Sequence, residues 1–391
     1  MVMGNLVHRD YKREFVKVGS SVSIRKPVKF SVVEQADVTG VVNDVKEGSV
    51  TFTVDKFNSV PWSFSSTDLT LTIDQYSERY IKPAVIALAN KVDYNLCGLY
   101  SEVFNAVGTA GTTPSTFANL GAAAQKMDEF AVPSDMRRMV LNPAANWAIA
   151  DANKGLFHEK RVEEMFGKGY LNTIAGFDIF TDQNVRLHTE GAAYDDSSAL
   201  KVCRSQDVAA IGGSGTTTYS TSTAEGNTST LYVDGFTADT AGSLAAGDII
   251  TIADVYAVNP VNKQSTGSLQ QFVVTTAVTP GTKAASVTVS PPINITGPFQ
   301  TVNAAPVNNA DITLVNAHRA NLAFHKNAFG LVTVPLELPD GAAFKARESH
   351  NGLSIRIMKG HNILTDEETI RMDILYGVKC IYPELAVRLM G

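Results

Sequence analysis

Seven histidines and three cysteines are the residues of this chain best suited to metal or nucleophilic chemistry, so their spacing is considered first. His158-Glu159 is followed by Val162, where a metalloprotease helix would carry a second histidine. His318 and His325 are seven residues apart, or two turns of a helix, but no cysteine or third ligand lies near them. The spacing therefore predicts no metal centre.

Other reactive motifs are missing as well. Gly-x-Ser-x-Gly does not occur, and Gly167-Lys168 lacks the Ser or Thr and the upstream glycine of a phosphate-binding loop. Asp366-Glu367-Glu368 is typical of a solvated turn, and Arg371 and Asp373 could form a surface pair of little energetic value. A chain with no convergent reactive groups favours a structural or binding role over catalysis. We expect no enzyme activity and no cofactor.

Composition narrows the class further. The chain has 391 residues, 44% of them apolar, which predicts two or three domains with real cores. Its net charge of −6 gives little gain from counterion release, so specific nucleic-acid binding is not expected. Three distant cysteines form no disulfide framework, and neither a signal peptide nor an 18-residue apolar run is found. We expect a β-rich protein of a reducing cytoplasm.

The first part of the chain alternates in the manner of strands. Residues 1–27 are polar and basic, which indicates an extended arm or, equally, a solvated tail. Residues 28–57 should form a long hairpin around the turn at 43–49. Its apolar side chains are sparse, and an isolated hairpin is marginal in water, so the hairpin is expected to pack against another segment. These apolar side chains are Val28, Phe30, Val32, Val50, Phe52 and Val54.

Helical periodicity follows. An apolar stripe with spacings of three and four predicts a helix from Pro83 to Phe104, which Pro83 either opens or kinks. Residues 109–200 have an α/β pattern, with helices at 117–130, 143–153 and 159–166 and strands at 139–141 and around Gly176. The stripe residues are Ile81, Val85, Leu88, Val92, Leu96, Leu99 and Val103.

Residues 201–311 differ in kind from their surroundings. Charged residues number 11 of 111 there, about 10%, against 18% for the whole chain. Residues 212–230 are of low complexity and expected to be mobile, and short strands follow near 231–233, 248–252, 271–274 and 286–289. This pattern predicts a small barrel or sandwich inserted into another domain.

The C-terminal part returns to long strand patterns. Residues 370–376 alternate, 378–382 form a second strand candidate, and Pro383 stops it before the apolar run 385–390. Chain ends usually fray because terminal residues have few partners. Since this end is apolar and strand-like instead, we expect it to hold a sheet together.

Several stretches together resemble the major capsid (coat) proteins of tailed bacteriophages, which have the Hong Kong 97-like fold. The resemblance is greatest to the coat subfamily that carries an inserted β domain, and it covers about 80% of the chain. The matching stretches include VHRDYKREFVKVGSSVSIRKP near the start, TIAGFDIFTDQNVRLHTEG at 173–191, GDIITIADVYAVNPVNKQSTGSLQQFVV at 247–274, VTVSPPI at 287–293, NLAFHKNAFGLVTVPLELP at 321–339 and RMDILYGVKCIYPELAVRLMG at the end.

The resemblance implies an α+β fold and a domain division. Residues 1–27 would be the N-terminal arm, 28–72 the extended loop, and 73–108 the spine helix and peripheral domain. Residues 109–200 would be the axial domain, and 201–311 the inserted β-barrel. Parts of 312–391 would complete both the peripheral and the axial domain. The extended loop would reach onto a neighbouring subunit, and the six apolar side chains named above for the hairpin would be the candidates for that contact.

The resemblance also implies a function. The chain would be the coat protein of a tailed phage or prophage, forming pentamers and hexamers of an icosahedral shell around double-stranded DNA that it does not bind specifically. Its partners would be a scaffolding protein and a portal protein, with no membrane. It would assemble in the host cytoplasm and end in the virion. The alternative is an encapsulin-like bacterial compartment shell. A β-rich adhesin or carbohydrate binder would need a secretion route, for which no signal is seen.

Overall fold

The computed structural model describes residues 1–9, 21–30, 47–65, 77–153, 173–194, 200–204, 218–220, 228–236, 244–280, 284–350 and 353–391. Their α-helices are α1 (Met3–Leu6), α2 (Lys82–Cys97), α3 (Phe117–Glu129) and α4 (Pro143–Asn153). Their strands are β1 (Ser21–Arg25), β2 (Ser49–Thr53), β3 (Lys56–Ser65), β4 (Ala106–Val107), β5 (Arg137–Leu141), β6 (Thr173–Ile174), β7 (Phe177–Thr181), β8 (Leu187–His188), β9 (Lys201–Val202), β10 (Ser229–Asp234), β11 (Ile249–Val258), β12 (Ser265–Val274), β13 (Ala284–Ser290), β14 (Ile312–Leu314), β15 (His318–His325), β16 (Phe329–Val334), β17 (Phe344–His350), β18 (Leu353–Asn362), β19 (Glu367–Cys380) and β20 (Ala386–Met390).

The chain divides into two compact units, each assembled from separate stretches. The first contains Met1–Ser23, Thr51–Cys97 and Phe329–Ile381, and the second contains Ile24–Val50, Gly98–Ala328 and Tyr382–Gly391. The second unit thus holds together stretches that the sequence assigned to the axial and inserted domains. The finer boundaries stay a prediction.

The first unit is built on an antiparallel sheet in the order β16-β19-β18-β17, with β3 also paired to β19. β19 is the shared strand, because β18 and β3 pair with its first part and β16 with its last part. Helix α2 packs on β19 and β3 and buries Leu88, Val92 and Leu96. The predicted stripe is therefore confirmed over the helix. The α-helix ends earlier than expected, at Cys97, and a 3₁₀ turn follows from Gly98 to Glu102.

β19 continues through Gly377, where the sequence suggested two strands. A side chain at Gly377 would collide with the backbone carbonyl of Thr53 and touch the ring of Phe52. Glycine is therefore used there for close approach of another segment and not as a strand breaker.

Residues 1–9 are not a free arm or tail. Met3, Leu6 and Val7 are buried within the first unit, and the backbone of His8 bonds to Phe329 and Leu331 at the edge of β16. The N–H groups of Val2 and Gly4 donate to the buried carboxylate of Asp93 on α2, at 2.6 and 2.9 Å. The rest of the predicted arm up to residue 20 lies outside the described residues.

The main sheet of the second unit has the order β4-β20-β15-β5-β7-β6, with β8 paired to β15. β20 lies inside this sheet, between β15 and β4, and Gly391 exchanges two backbone hydrogen bonds with Arg319. The expectation that the chain end closes a sheet is confirmed. Helices α3 and α4 share an apolar core with this sheet, in which Leu120, Ile149 and Leu389 are fully buried.

Local signals in this region give the correct elements. The helix predicted at 117–130 is α3, and Asn142 caps α4 because its side-chain oxygen accepts the N–H of Ala145 at 3.1 Å. Strands β6 and β7 flank Gly176, which has a positive φ of 79°. The helix predicted at 159–166 lies outside the described residues.

A second sheet of this unit has the order β14-β11-β12-β13-β10-β9 and encloses its own apolar core. All four short strands predicted there are present as β10 to β13. The two outer strands also meet, since Val202 donates to the carbonyl of Ala310 at 2.9 Å and Ile312 donates to that of Leu200 at 3.0 Å. Most of the low-complexity stretch 212–230 lies outside the described residues.

The base of the predicted long hairpin begins earlier than expected. β1 pairs with β2 as a two-stranded sheet, whereas Val28 and Phe30 lie outside any strand. The middle of this segment, residues 31–46, lies outside the described residues and includes Val32. Two contacts hold the base within the second unit: Lys26 lies over the ring of Tyr382, and the ammonium of Lys29 is 3.4 Å from the carboxylate of Glu384.

Candidate functional site: a buried polar junction

The most concentrated polar chemistry in the described residues lies between the two sheets of the second unit. It consists of Tyr100, His188, Asp248, His318 and Arg388, which we call the polar junction. All but Tyr100 are at most 2% exposed. Its members come from the 3₁₀ turn after α2, from β8, from the residue before β11, and from β15 and β20.

A hydrogen-bonded chain runs through the junction. The ring Nε2 of His188 lies 2.9 Å from Oδ1 of Asp248, and its Nδ1 lies 3.1 Å from the hydroxyl of Tyr100. Because the carboxylate can only accept, Nε2 carries the proton, and in the neutral ring Nδ1 accepts the Tyr100 hydroxyl. The other carboxylate oxygen accepts the N–H groups of Gly191 and Ala245. Asp248 is therefore fully paired although it is not exposed at all.

Arg388 connects the last strand to the second sheet. Its Nη1 donates to the carbonyl of Gly247 at 2.8 Å, and its guanidinium lies 5.1 Å from the ring centre of Tyr100. Burial lowers the pKa of Arg388 to about 9, which still leaves the group charged at neutral pH. Gly247 has a φ of +99°, and a Cβ there would press on Ser101 at 3.1 Å, so the close approach requires glycine.

His318 is the neutral member of the junction. Its Nδ1 lies 2.8 Å from the carbonyl of Asn316, and its ring centre lies 5.3 Å from that of His188. Desolvation by burial is the main reason that its pKa is lowered to about 4, and the charge of Arg388 acts in the same direction.

Further bonds fix the second sheet on the main sheet. The side-chain amide of Gln271 on β12 accepts the N–H of Ala106 and donates to the carbonyl of the same residue, both at 2.8 Å. It thereby occupies the position of a neighbouring strand at the edge of β4. The amide of Asn259 donates to the carbonyl of Glu129 at the end of α3.

The junction does not have the geometry of a hydrolase. The hydroxyl beside His188 belongs to Tyr100, while the Ser101 hydroxyl donates to the carbonyl of Gly98 instead. In the part of the chain that the structure describes, no three His, Cys, Asp or Glu side chains are grouped to hold a metal ion. His318 and His325 lie at opposite ends of β15, so the helical spacing considered from the sequence does not apply. The hydrogen bonds of the polar junction join the two sheets of the second unit to each other.

The residues predicted to contact other subunits are only partly exposed. Phe30 is 62% exposed, and Val28 and Val50 are partly buried. Phe52 and Val54 are buried, at 0% and 8% exposure, because the chain covers them itself. Phe52 lies against β16 and β19, where a side chain at Gly330 or Gly377 would touch its ring. The sequence missed this burial, and it missed the polar junction entirely, because the members of each cluster are far apart along the chain.

The pair expected between Arg371 and Asp373 is present, with the arginine side chain 43% exposed and the carboxylate buried. Asp373 is not exposed and binds both Arg371, at 2.5 Å, and Arg356 of β18, at 2.7 Å. Tyr376 is another buried polar side chain of this strand. Its hydroxyl accepts hydrogen bonds from the side-chain amides of Asn58 and Asn95, at 2.6 Å each. Burial raises the pKa of Tyr376.

Comparison with known proteins gives the family. The sequence model described as P22 coat protein, gene protein 5, matches residues 1–391. The chain belongs to the P22 coat protein family. It is thus a major capsid protein of a tailed phage, a structural component of the virion that assembles with other subunits into a shell.

Similar solved structures come from other phages, and the fold of this coat protein is supported by the first of them, whose TM-score exceeds 0.5. A chain from Mycobacterium phage Che8 is similar with a TM-score of 0.51 and 12% identity, over 99% of this chain and 90% of that one. The capsid of cyanophage P-SCSP1u is similar with a TM-score of 0.49 and 11% identity, over 98% and 85%. The CUS-3 coat protein I-domain is 30% identical over 24% of this chain and 76% of its own length, with a TM-score of 0.18. No curated protein matches the sequence.

These findings confirm the resemblance to tailed-phage coats and do not favour the encapsulin alternative. The fold is that of tailed-phage capsid proteins, with both helices and sheets. Among the described residues, none of the helices has the length and apolar character needed to span a bilayer.

Proposed function

We propose that this coat protein forms pentamers and hexamers of a closed icosahedral shell around double-stranded DNA. A scaffolding protein and a portal protein are its assembly partners, the host cytoplasm is the place of assembly, and neither catalysis nor a cofactor is involved. The observation that carries the proposal is the match of the P22 coat protein family to the whole chain. Identical subunits that meet through head-to-tail contacts close into rings and shells, as this function requires.

The second sheet of the second unit is proposed to be a small β-barrel inserted into the axial domain. Support comes from the hydrogen bonds between β9 and residues 310–312, which bring the two outer strands of the sheet together. Its separate core of apolar residues, including Phe272 and Val287, is what an inserted domain needs in order to be stable. A backbone hydrogen bond joins Ile312 to Leu200, and this closeness of the two residues that flank the proposed insertion supports a domain inserted into a loop.

The extended loop is proposed to contact a neighbouring subunit. Its base is held by Lys26 and Lys29 against Tyr382 and Glu384, and the exposed ring of Phe30 lies directly beyond that base. Val28, Val32 and Val50 stay candidates for the same contact. Phe52 and Val54 are better explained as core residues of their own chain, because they are buried without any partner subunit.

The shell is proposed to enclose DNA without binding it tightly or specifically. With a net charge of −6, the protein has no excess of Lys and Arg to neutralise phosphates. Weak, salt-insensitive contact with the packaged genome is the expected consequence.

Electron microscopy of the chain co-expressed with its scaffolding protein tests the proposal. Wild type should give closed shells of uniform size. Phe30→Asp should keep the fold by circular dichroism but lose shells, since a charge would enter an apolar contact. The matched control is Phe30→Leu, which should assemble normally. A wild-type chain that stays monomeric under these conditions would contradict the function, whereas normal shells from Phe30→Asp would contradict only the loop contact.

A further inference from the structure

Two large aliphatic side chains project into solvent at the tip of the β18–β19 hairpin. Ile363 is 85% exposed and Leu364 is 95% exposed. A single exposed leucine needs no explanation, but two adjacent aliphatic residues that are almost fully exposed form a small apolar patch. On a protein that assembles with copies of itself, such a patch indicates a contact between subunits.

The tip is held in a fixed shape, so it is suited to a specific contact. The N–H of Leu364 donates to the side-chain oxygen of Asn362 at 3.1 Å. Asn362 pairs with Glu367 across the hairpin, and Glu367 pairs with Ser65 of β3, so three paired strands carry the tip. A surface whose shape is set before binding loses little conformational freedom when it docks.

The tip is also acidic. Asp366 and Glu367 follow the apolar pair and are exposed, with the side chain of Asp366 at 74%. The next acid, Glu368, forms an ion pair with Lys359 of β18. The two exposed carboxylates repel the phosphates of DNA and of lipid headgroups, and they also repel a second copy of the same tip. The surface that receives the tip must therefore be both apolar and basic.

The exposed face of α2, a helix of the same unit, has this character. Ile86 is 61% exposed and Tyr94 is 41% exposed, and they lie on the same side of the helix because they are two steps of four residues apart. Lys82 and Lys91 are exposed as well, and the ammonium of Lys91 lies 5.1 Å from the ring centre of Tyr94. The other charged residue of α2, Asp93, is buried, so this face carries positive charge only.

We propose that the acidic tip of one copy (residues 363–367) docks on the basic face of α2 (Lys82, Ile86, Lys91 and Tyr94) of a second copy. The apolar pair of the tip would cover Ile86 and Tyr94, and its two carboxylates would lie near the two lysines. The contact joins two different surfaces, so it is a head-to-tail contact of the kind that closes into rings. It rests on the shell function proposed above and adds which surfaces of two subunits meet.

Charge reversal on the two surfaces tests the contact in the chain co-expressed with its scaffolding protein. Asp366→Lys with Glu367→Lys makes the tip basic, and Lys82→Glu with Lys91→Glu makes the face of α2 acidic. Either pair of substitutions alone should keep the fold by circular dichroism but lose closed shells in electron micrographs, because like charges would meet. A chain with all four substitutions should regain closed shells, since its charges are complementary again with their signs exchanged. The control is Asp340→Lys, at a fully exposed acid of another loop, which should assemble as wild type does.

The outcomes separate this contact from the shell function. Normal shells from either pair of substitutions alone, or no recovery in the chain with all four, would overturn the contact while wild-type shells still support the function. A wild-type chain that forms no shells would contradict the function and this contact with it.

Cross-linking tests the same contact without a change of charge. A chain with both Leu364→Cys and Ile86→Cys should form disulfides between subunits when assembled shells are oxidised, and it should then run at multiples of the subunit mass on a non-reducing gel. The three native cysteines are buried, so neither single-cysteine variant should give these bands. Bands from Leu364→Cys alone would show that two tips meet, and a bond within one chain would show that the tip reaches its own helix. Either result, or a bond to the scaffolding protein instead, would overturn the proposal.

Discussion

At the scale of single residues, this coat protein buries several of its polar and charged side chains. Asp373 is the clearest case in the first unit, because its carboxylate holds Arg356 and Arg371 on one face of the β19–β18 pair. The nitrogen Nη1 of Arg356 also donates to the carbonyl of Glu337 at 2.6 Å, so this pair ties a loop to the sheet. Removing one partner of a buried ion pair is costly, because the other charge stays behind unpaired.

Asp373→Asn should therefore destabilise the chain strongly. We expect the free energy of unfolding to fall by about 3 kcal/mol, since Arg356, whose side chain is 13% exposed, loses its counter-charge in a largely buried position. Arg371 should add little, because its side chain is 43% exposed and solvent screens its charge. Urea denaturation followed by circular dichroism measures the loss. The matched control is Asp340→Asn, which breaks the exposed pair with Lys345 and should change nothing measurable. Equal, small effects of both substitutions would show that the buried pair has no special role.

The pH dependence of stability should reveal His318. Its pKa is about 4 in the folded chain and about 6.5 when unfolded, so the unfolded state binds a proton first as pH falls. The stability that depends on a neutral His318 is complete above pH 6.5 and is lost progressively between about pH 6.5 and 4. The charge of Arg388 opposes protonation, while Asp248 favours it more weakly.

Urea unfolding at pH 7 and pH 4.5 measures this loss, which should reach about 2–3 kcal/mol in wild type. His318→Phe should lack this part of the pH dependence, because the group that titrates is gone. His361→Phe serves as the control and should keep the wild-type difference between the two pH values. A wild-type profile in His318→Phe would contradict the assignment.

At the scale of elements, the close packing of another segment against β19 explains why Gly377 is a glycine. The strand pattern on both sides of Gly377 could be interpreted from the sequence as two strands, but the backbone continues because Thr53 approaches from the side. Gly360 of β18 offers a contrast, since a Cβ there would meet nothing within 4 Å. Two glycines on neighbouring strands thus have different reasons to be present.

Gly377→Ala should destabilise the first unit by about 2 kcal/mol or more, because the new Cβ overlaps the Thr53 carbonyl and must displace backbone. Gly360→Ala should leave stability within about 0.5 kcal/mol. Thermal unfolding of both variants checks the pair. Similar melting temperatures for the two would show that the approach of Thr53 is not fixed.

Comparing these elements with the sequence shows which parts of the structure could be predicted from local patterns. Helix α3, the cap at Asn142 and the four central strands of the second sheet follow local rules of periodicity and capping, so they could be predicted. The burial of Phe52, the packing of residues 1–9 and the position of Asp373 could not, because each depends on segments far away along the chain. The polar junction is the extreme case: Tyr100 and Arg388 lie 288 positions apart (388 − 100), and no local pattern links them.

At the scale of the whole molecule, the last strand of the chain depends on the middle of the chain. Arg388 and His188 both bond to the segment Gly247–Asp248, and the backbone of Ala106 bonds to Gln271. The second sheet therefore supplies partners to buried polar groups of the main sheet. Without them, a buried guanidinium, an imidazole and a strand edge would each lose their bonds at once.

Deleting residues 201–311 should for this reason impair the rest of the chain. A short Gly-Ser linker can join the cut ends without strain, because Leu200 and Ile312 are hydrogen-bonded neighbours at 3.0 Å. The loss of fold would then come from the orphaned groups and not from a stretched connection. We expect the deletion variant to aggregate, or to give aberrant assemblies in electron micrographs when it is co-expressed with the scaffolding protein.

A second deletion variant separates the two possible causes. It also carries Arg388→Met and His188→Leu, which replace the orphaned polar groups with apolar side chains of similar size. If orphaned polar groups cause the defect, this variant should recover part of its solubility, because replacing a buried charge by an apolar group is often neutral or stabilising. Normal shells at wild-type yield from the simple deletion would mean that the second sheet is dispensable, and its bonds to Arg388 and Ala106 would then have no bearing on assembly.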